Sequence, residues 1–316
     1  MKRAMTQPSV KKTKGTRMHN TLVYMRQHWQ LYLIFMLPAV VLTIVFRYVP
    51  MGGILIAFTE YNPILGILGS EWVGFDHFTR FLSSPDFMQY LLNTLKLSVF
   101  GLLWGFPAPI LLAFLLNRIM SSGIKQKIQL VLYMPNFISV IVLCGIVRIL
   151  LSPTGMLNML LGTSYNFMTM PEAFRTIYIA SGIWKQMGWS SILYLATLSS
   201  VDMSLYEAAA IDGAGRFQKM LHISLPHLVP LICIFTIMNA SSLINGNFDL
   251  FYVIPRNTST LYATTDILNT YVYRSLQESS YAIGATTGLI QSVVGMFLVL
   301  LSNWIVKKIS PDNSMF

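Results

Sequence analysis

The chain has 316 residues, of which 54% are hydrophobic and only 11% charged; a soluble domain carries roughly 25% charged residues. A mean hydropathy of +0.58 and two cysteines exclude a disordered chain, a disulfide scaffold and an ordinary cytosolic enzyme, and leave a polytopic membrane protein. The net charge of +10 does not point to nucleic acid, because Lys2, Arg3, Lys11, Lys12, Lys14, Arg17 and Arg26 crowd the N-terminal segment instead of lying on a folded basic face.

No apolar run precedes these cations, so residues 1–30 read as a cytoplasmic tail and not as part of a cleaved signal peptide. Apolar runs follow at 31–49, 91–117, 128–151, 176–200, 228–247 and 282–306. A membrane-spanning helix takes about 20 residues, and each run is long enough. The segment Met51–Phe58 is too short to span alone; it either extends the first helix past Pro50 or lies at the interface. Pro38, Pro107, Pro109 and Pro135 fall inside runs. Such kinks are tolerated in a membrane when neighbouring helices satisfy the freed carbonyls, which favours a packed bundle.

Positive charge sets the orientation. With the tail inside, Arg118, Lys125, Lys127, Arg216, Lys219, Lys307 and Lys308 share its side. Arg47, Arg80, Arg148, Arg175, Arg256 and Arg274 fall on the other. The expectation is an all-α polytopic membrane protein of six transmembrane helices over 31–309, with both termini cytoplasmic and a C-terminal tail at 310–316. Its outer loops are 50–90, 152–175 and 248–280, and its inner loops 118–127 and 201–227.

No G-x-x-x-x-G-K-[ST] occurs, so the chain has no phosphate-cradling loop of its own. Cys144 and Cys233 stand singly in apolar runs and read as small core residues. His222 and His227 lack a third ligand type nearby, so no metal site is expected, and no nucleophile–base arrangement is legible. All twelve acids, from Glu60 to Asp312, fall outside the runs. Ion-coupled carriers usually place an acid near the membrane midplane, so an ion-driven carrier is the weaker reading. Energy for uphill transport would enter elsewhere.

The inner loop 201–226 is too patterned for a simple connection. Ser204 and Glu207 have capping-box spacing for a helix over Leu205–Asp212. Gly213 can end that helix in the left-handed conformation. A second amphipathic stretch follows, with Phe217, Met220, Leu221 and Ile223 apolar among Arg216, Gln218 and Lys219, and Pro226 opens the next span. The bland reading is an interfacial helix-turn-helix that only joins two spans. The loop also fits E-A-A-x3-G-x9-I-x-L-P without a gap, through Glu207, Ala208, Ala209, Gly213, Ile223, Leu225 and Pro226.

That pattern resembles the loop by which permease subunits of bacterial ABC importers dock on their ATPase subunits. Small alanines let a short helix enter a groove on the partner, and Glu207 and Asp212 offer charge there. Segments around Leu37-Pro38, Tyr61-Asn62-Pro63, Asn93-Thr94, Gly105-Phe106-Pro107, Tyr133-Met134-Pro135, Ile183-Trp184-Lys185 and Tyr206–Gly215 extend the likeness over nearly the whole chain. The chain is similar to MalF-type sugar permeases, above all those for complex or acidic oligosaccharides from pectin, alginate and related polysaccharides. The resemblance implies a type I importer fold in the bacterial inner membrane, in a shorter form without the extra N-terminal spans and large periplasmic domain of the enterobacterial maltose permease. It implies a second homologous permease as partner, two ATPase subunits that hold the ATP and Mg, and an extracellular or periplasmic solute-binding protein. No cofactor is expected on this chain, and no catalytic activity.

Sugar recognition needs aromatic faces for stacking and amides or hydroxyls for hydrogen bonds. Trp184, Lys185, Trp189 and Tyr194 on the fourth run, and Asn239, Asn245, Asn247 and Asp249 on the fifth and its exit, are the candidate substrate path. A lysine at mid-span costs roughly 2.5–3.5 kcal/mol, so Lys185 is expected to face a wet cavity or a partner. The competing reading is packing or an interfacial belt for the tryptophans and interhelical hydrogen bonding for the asparagines. A non-transporting membrane scaffold or sensor would leave the loop spacing without a use.

Overall fold

The computed structural model describes residues 28–255 and 261–315. The basic tail over residues 1–27 and Arg256 lie outside the described residues. The chain divides into two units, 1–55 and 56–316.

In the first unit, helix α1 (Trp29–Thr43) runs on through a π-helical turn at Ile44–Tyr48 into a 3-10 stretch that begins at Val49. Helical backbone reaches Phe58, so the short apolar run extends the first helix. Phe35, Leu42, Phe46 and Val49 are exposed, as a lipid-facing helix requires. The π-turn ends two residues before Pro50. A proline ring collides with the carbonyl four residues earlier. Widening the turn there moves that carbonyl aside and lets the helix continue.

The second unit begins with a small antiparallel hairpin, β1 (Thr59–Glu60) and β2 (Glu71–Trp72), in the register Thr59↔Trp72 and Glu60↔Glu71. Helices α2 (Asp76–Leu82), α3 (Phe87–Gly105) and α4 (Pro107–Asn117) follow. The last two form one apolar stretch of 31 residues, Phe87–Asn117, interrupted at Phe106 because Pro107 has no N–H to donate.

The third run departs from expectation. Instead of one helix over 128–151 there are two, α5 (Ser122–Phe137) and α6 (Val140–Leu151). Ile138 and Ser139 between them are extended, and the Ser139 hydroxyl caps α6 by accepting from the Val142 N–H. Pro135 removes a donor from the last turn of α5, and Ser139 offers a new start. A short helix, α7 (Met156–Leu161), closes the apolar stretch Val140–Leu161.

Helix α8 (Pro171–Ser199) is 29 residues long. It is not among the five helices that, among the described residues, are long and apolar enough to cross a membrane: Trp29–Phe58, Phe87–Asn117, Val140–Leu161, Arg216–Ala240 and Tyr281–Ile309. Its place explains its polarity. It packs against α3, α4 and α5 and against helices later in the chain, so a smaller share of its surface has to satisfy lipid. Gly188 is the tightest point. A Cβ there would sit 1.9 Å from the Leu132 carbonyl oxygen of α5, so only glycine allows this approach.

After α8 come α9 (Met203–Ile211), α10 (Arg216–Lys219), a π-turn at Met220–Ser224 and α11 (Leu225–Ala240). The helix is unbroken from Arg216 to Ala240, so Pro226 does not open the span. The π-turn again ends two residues before the proline, as at Pro50. Short helix α12 (Ser242–Asn245) precedes the segment expected as an outer loop, which carries short helices of its own. Residues 248–280 hold α13 (Phe248–Val253), α14 (Tyr262–Thr265) and α15 (Leu268–Gln277), and α16 (Tyr281–Ile309) ends the bundle. Leu250, Phe251, Ile254, Leu261 and Ile267 join Leu97, Leu143, Cys144, Phe174 and Tyr178 in one core cluster.

A polar knot holds this segment down. Asp266, read from sequence as a loop acid, is buried at 3% exposure. Arg274 reaches it with both terminal nitrogens, at 2.8 Å and 2.5 Å, and Thr270 donates to it at 2.6 Å. The Asn93 amide donates to the carbonyls of Ala263 and Asp266, and the Thr94 hydroxyl accepts from the Leu268 N–H. A carboxylate held by an arginine on its own segment is not poised to carry an ion.

Candidate functional site

The segment after α8 is built from local rules. Asp202, and not Ser204, is the N-cap of α9: its carboxylate accepts the Ser204 N–H at 2.9 Å. Ser204 therefore supplies the capped donor, and the helix starts two residues earlier than its spacing with Glu207 suggests. That bond holds the Asp202 carboxyl below the usual carboxylate range. At the other end Gly213 has φ +73°. The Gly213 N–H donates to Ala210 and the Ala214 N–H to Ala209, the paired bonds of a Schellman end. The Gly215 N–H then donates to the Gln218 side chain at 2.7 Å, which starts the next helix.

No residue of α9 is buried. Glu207 and Ala208 are exposed, and so are Met203, Leu205 and Ile211. Glu207 forms no ion pair within the described residues. A short helix that shows apolar side chains and an unpaired acid is dressed for a partner. Beside it lies a cleft of about 310 Å³ lined by Ala209, Asp212, Gly213, Ala214, Gln218, Lys219, His222 and Ile223. Ala209, Asp212, Gly213 and Ile223 of the motif thus line one cleft. Leu225 and Pro226 stand beyond the π-turn and do not line the cleft. From sequence, Gln218 and Lys219 read only as polar residues of the amphipathic stretch and His222 only as a histidine without a metal partner; none is assigned to this site, although the i,i+4 spacing of Gln218 and His222 places them on one helix face. His222 Nδ1 stands 3.1 Å from the Gln218 carbonyl, so this nitrogen carries the proton and Nε2 is left open.

The second candidate group scatters. Trp184 and Trp189 are exposed, with Phe137 edge-on to Trp189 at 5.6 Å. Lys185 donates to the carbonyls of Pro135 (3.5 Å), Asn136 (2.9 Å) and Ile138 (2.5 Å). These carbonyls lie where α5 ends, that of Pro135 also accepting the Ile138 N–H, so the ammonium caps a broken helix. Tyr194 is 2% exposed and packs in a core cluster with Ile110, Leu195 and Leu228, edge-on to Phe235. It is a packing residue in this structure, which corrects its place on the substrate path. The Asn239 amide donates one turn back to the Phe235 carbonyl. Asn247 caps α13, while Asn245, Asn247 and Asp249 are exposed. Cys144 and Cys233 are buried free thiols in apolar clusters. Among the described residues no three His, Cys, Asp or Glu side chains gather as a metal site requires.

Comparison with known proteins decides the family. Residues 105–312 match the binding-protein-dependent transport system inner membrane component family. The chain belongs to this family. It is similar to Protein LplB of Bacillus subtilis, at 39% identity over 91% of either chain. It is also similar to the polygalacturonan/rhamnogalacturonan transport system permease protein YteP of the same organism, at 39% identity over 96% of this chain and 94% of that one. Among solved structures, a chain of a bacterial ABC transporter involved in the import of the acidic polysaccharide alginate superposes with a TM-score of 0.83. It shares 36% identity over 92% of this chain and 99% of that one. A chain from the bacterial alginate ABC transporter in complex with an alginate pentasaccharide-bound periplasmic protein gives 0.82 at 37% identity, over 90% of this chain and 96% of that one. The permease therefore has the fold of ABC importer membrane subunits, and the five long apolar helices among its described residues suit an inner-membrane component.

Proposed function

We propose that this permease takes up oligosaccharides of the uronate-rich class, derived from pectin or alginate, as one membrane subunit of an ATP-driven importer. The observation that carries the reading is the exposed helix α9, with its unpaired Glu207, the left-handed Gly213 and the cleft beside them. This site, Glu207 to Gly213 with Ile223, Leu225 and Pro226 behind it, docks an ATPase. Two such ATPases hold the ATP and Mg, and the chain binds no cofactor itself. A second homologous permease completes the pathway, and a periplasmic or extracellular solute-binding protein delivers the sugar.

In this reading α8 is the sixth span, admitted to the membrane because its neighbours cover it. The 31–309 region is the transmembrane domain, flanked by cytoplasmic tails at 1–30 and 310–316, and both termini and the 201–226 loop face the cytoplasm. The path to the sugar uses the exposed Trp184, Trp189, Asn245, Asn247 and Asp249, with Asn239 behind them. Lys185 orders the wall and does not contact the sugar. The likeness to a permease for polygalacturonan and rhamnogalacturonan and to an importer of alginate supports the acidic substrate class.

The test is to express the chain with its neighbouring transport subunits, purify it, and measure ATP hydrolysis and uptake with oligogalacturonides, oligoalginate and neutral oligosaccharides of equal length. A co-purifying ATPase stimulated by uronate oligomers and their binding protein is the expected result. An ATPase stimulated only by neutral sugars would overturn the substrate class. Absence of any ATPase from an otherwise folded preparation would overturn the function.

A further inference from the structure

We propose that Tyr206 is a positioning residue for transport: its hydrogen bond to Ser224 delivers the displacement of α9 to the membrane helix α11. The proposal rests on the reading that α9 docks an ATPase, and goes beyond it by naming the link that makes docking useful.

The need for such a link follows from the backbone. Between α9 and the helix that begins at Arg216 lie only Asp212, Gly213, Ala214 and Gly215, with Gly213 left-handed and Gly215 extended. A joint with two glycines in four residues absorbs a push, because glycine changes its dihedral angles at little steric cost. Force applied to α9 would be lost there unless a second connection bridged the joint. One does. The Tyr206 hydroxyl and the Ser224 hydroxyl are 2.8 Å apart. Among the described residues this is the one side-chain hydrogen bond between α9 and the helix Arg216–Ala240. Tyr206 is half-buried, while its neighbours Glu207 and Ala208 are exposed. Ala209, one turn on, is half-buried too, so the helix turns one face outward and its Tyr206–Ala209 face inward.

The receiving end is equally particular. Ser224 is 6% exposed and is the last residue of the π-turn Met220–Ser224. A π-turn is a locally widened stretch of helix, often found where a helix does functional work. Pro226 stands two residues on and cannot donate the bond that would stiffen the next turn. The tyrosine therefore grips α11 at the point where its direction is most easily changed. A movement of α9 toward or away from the membrane would alter the bend of the span above.

The experiment uses the assembled complex with Tyr206→Phe, Ser224→Ala and the double variant. Each removes a hydroxyl and keeps the shape. Four quantities are read: co-purification of the ATPase, basal ATP hydrolysis, substrate-stimulated hydrolysis and uptake. Expected for each single variant are an ATPase that still co-purifies, unchanged basal hydrolysis, and stimulated hydrolysis and uptake lowered about five- to tenfold, the scale of one hydrogen bond. The double variant should be no worse than either single one, because both remove the same bond. Ser224→Thr, which keeps a hydroxyl, should restore stimulation. Wild-type stimulation in both single variants, or additive losses in the double, would overturn the link while leaving docking intact. Loss of the ATPase from Tyr206→Phe would overturn it too, by making Tyr206 part of the docking surface. An ATPase that fails to co-purify with the wild type would refute the underlying reading instead.

Discussion

The ammonium of Lys185 stands 2.5 Å from the carbonyl oxygen of Ile138, at the point where α5 has ended and α6 has not begun. Together with its bonds to Pro135 and Asn136 it supplies the donors that a broken helix lacks inside a bundle. Lys185→Met keeps the length of the side chain and removes every donor. Hydrogen bonds to a charged group contribute about 1.5–3 kcal/mol each, so the variant should lose thermal stability in detergent by several degrees. Uptake of neutral and uronate oligosaccharides should fall by the same factor. A selective loss for uronates would return Lys185 to the substrate path.

Glu207→Lys reverses the exposed charge on α9, and Gly213→Val forces a β-branched residue to φ +73°. Glu207 is exposed, and among the described residues nothing lies within 4 Å of a Cβ built on Gly213. Both variants should insert and be purified at wild-type yield. Substrate-stimulated ATP hydrolysis should drop at least about tenfold, the loss of roughly 1.4 kcal/mol of coupling. Normal transport by either variant would contradict the docking assignment.

The Asp266–Arg274 pair is the buried charge that matters for folding. The Asp266 side chain is 3% exposed and that of Arg274 17%. Removing one member of such a pair typically costs about 3–5 kcal/mol, because the other charge is left alone. Asp266→Asn and Arg274→Met should each lower the unfolding temperature sharply. The double variant should recover much of the loss, since no charge then remains unpaired. Thermal denaturation followed by tryptophan fluorescence and size exclusion would show whether the losses add instead.

Acid should loosen α9 before it unfolds the bundle. The Asp202 carboxyl is held below its ordinary range by the Ser204 N–H. A carboxyl depressed in the folded state stabilises it above the unfolded value, near 3.8, and ceases to do so as pH falls through the folded value. Exchange of the Ser204 amide hydrogen should therefore become less protected as pH falls through that acid window. Asn is as good an N-cap as Asp and does not titrate. Asp202→Asn should keep the protection and abolish its acid dependence, after correction for the intrinsic exchange rate.

Much of the architecture was legible because lipid imposes a simple rule: long apolar runs become long helices. The runs at 91–117 and 282–306 lie within Phe87–Asn117 and Tyr281–Ile309. Gly213 was legible because few residues other than glycine accept its backbone angle. What stayed hidden depended on partners distant in sequence. Ile138 and Ser139 sit in an apolar run and look helical until Lys185, from another helix, is seen to hold the carbonyls between α5 and α6. Residues 248–280 looked like a loop because their polar groups have partners of their own: Arg274 answers Asp266, and Asn93 answers the carbonyls of Ala263 and Asp266. The cap of α9 was misplaced because Asp202 and Ser204 are both good capping residues, and spacing to Glu207 favoured the wrong one. The aromatic side chains on α8 look alike in sequence, yet Trp184 is exposed and Tyr194 is buried.

The polarity of α8 also has a consequence for biogenesis. If it is a span, it reaches the insertion machinery as a sequence too polar to partition into lipid unaided, with Lys185 near its middle. Synthesis runs from the N-terminus, so α3, α4 and α5 are made first, and the carbonyls of Pro135, Asn136 and Ile138 are already in place when Lys185 emerges. The order of residues along the chain is then an order of assembly, in which α8 leaves the translocon as the last piece of a half-built bundle and not as an independent helix.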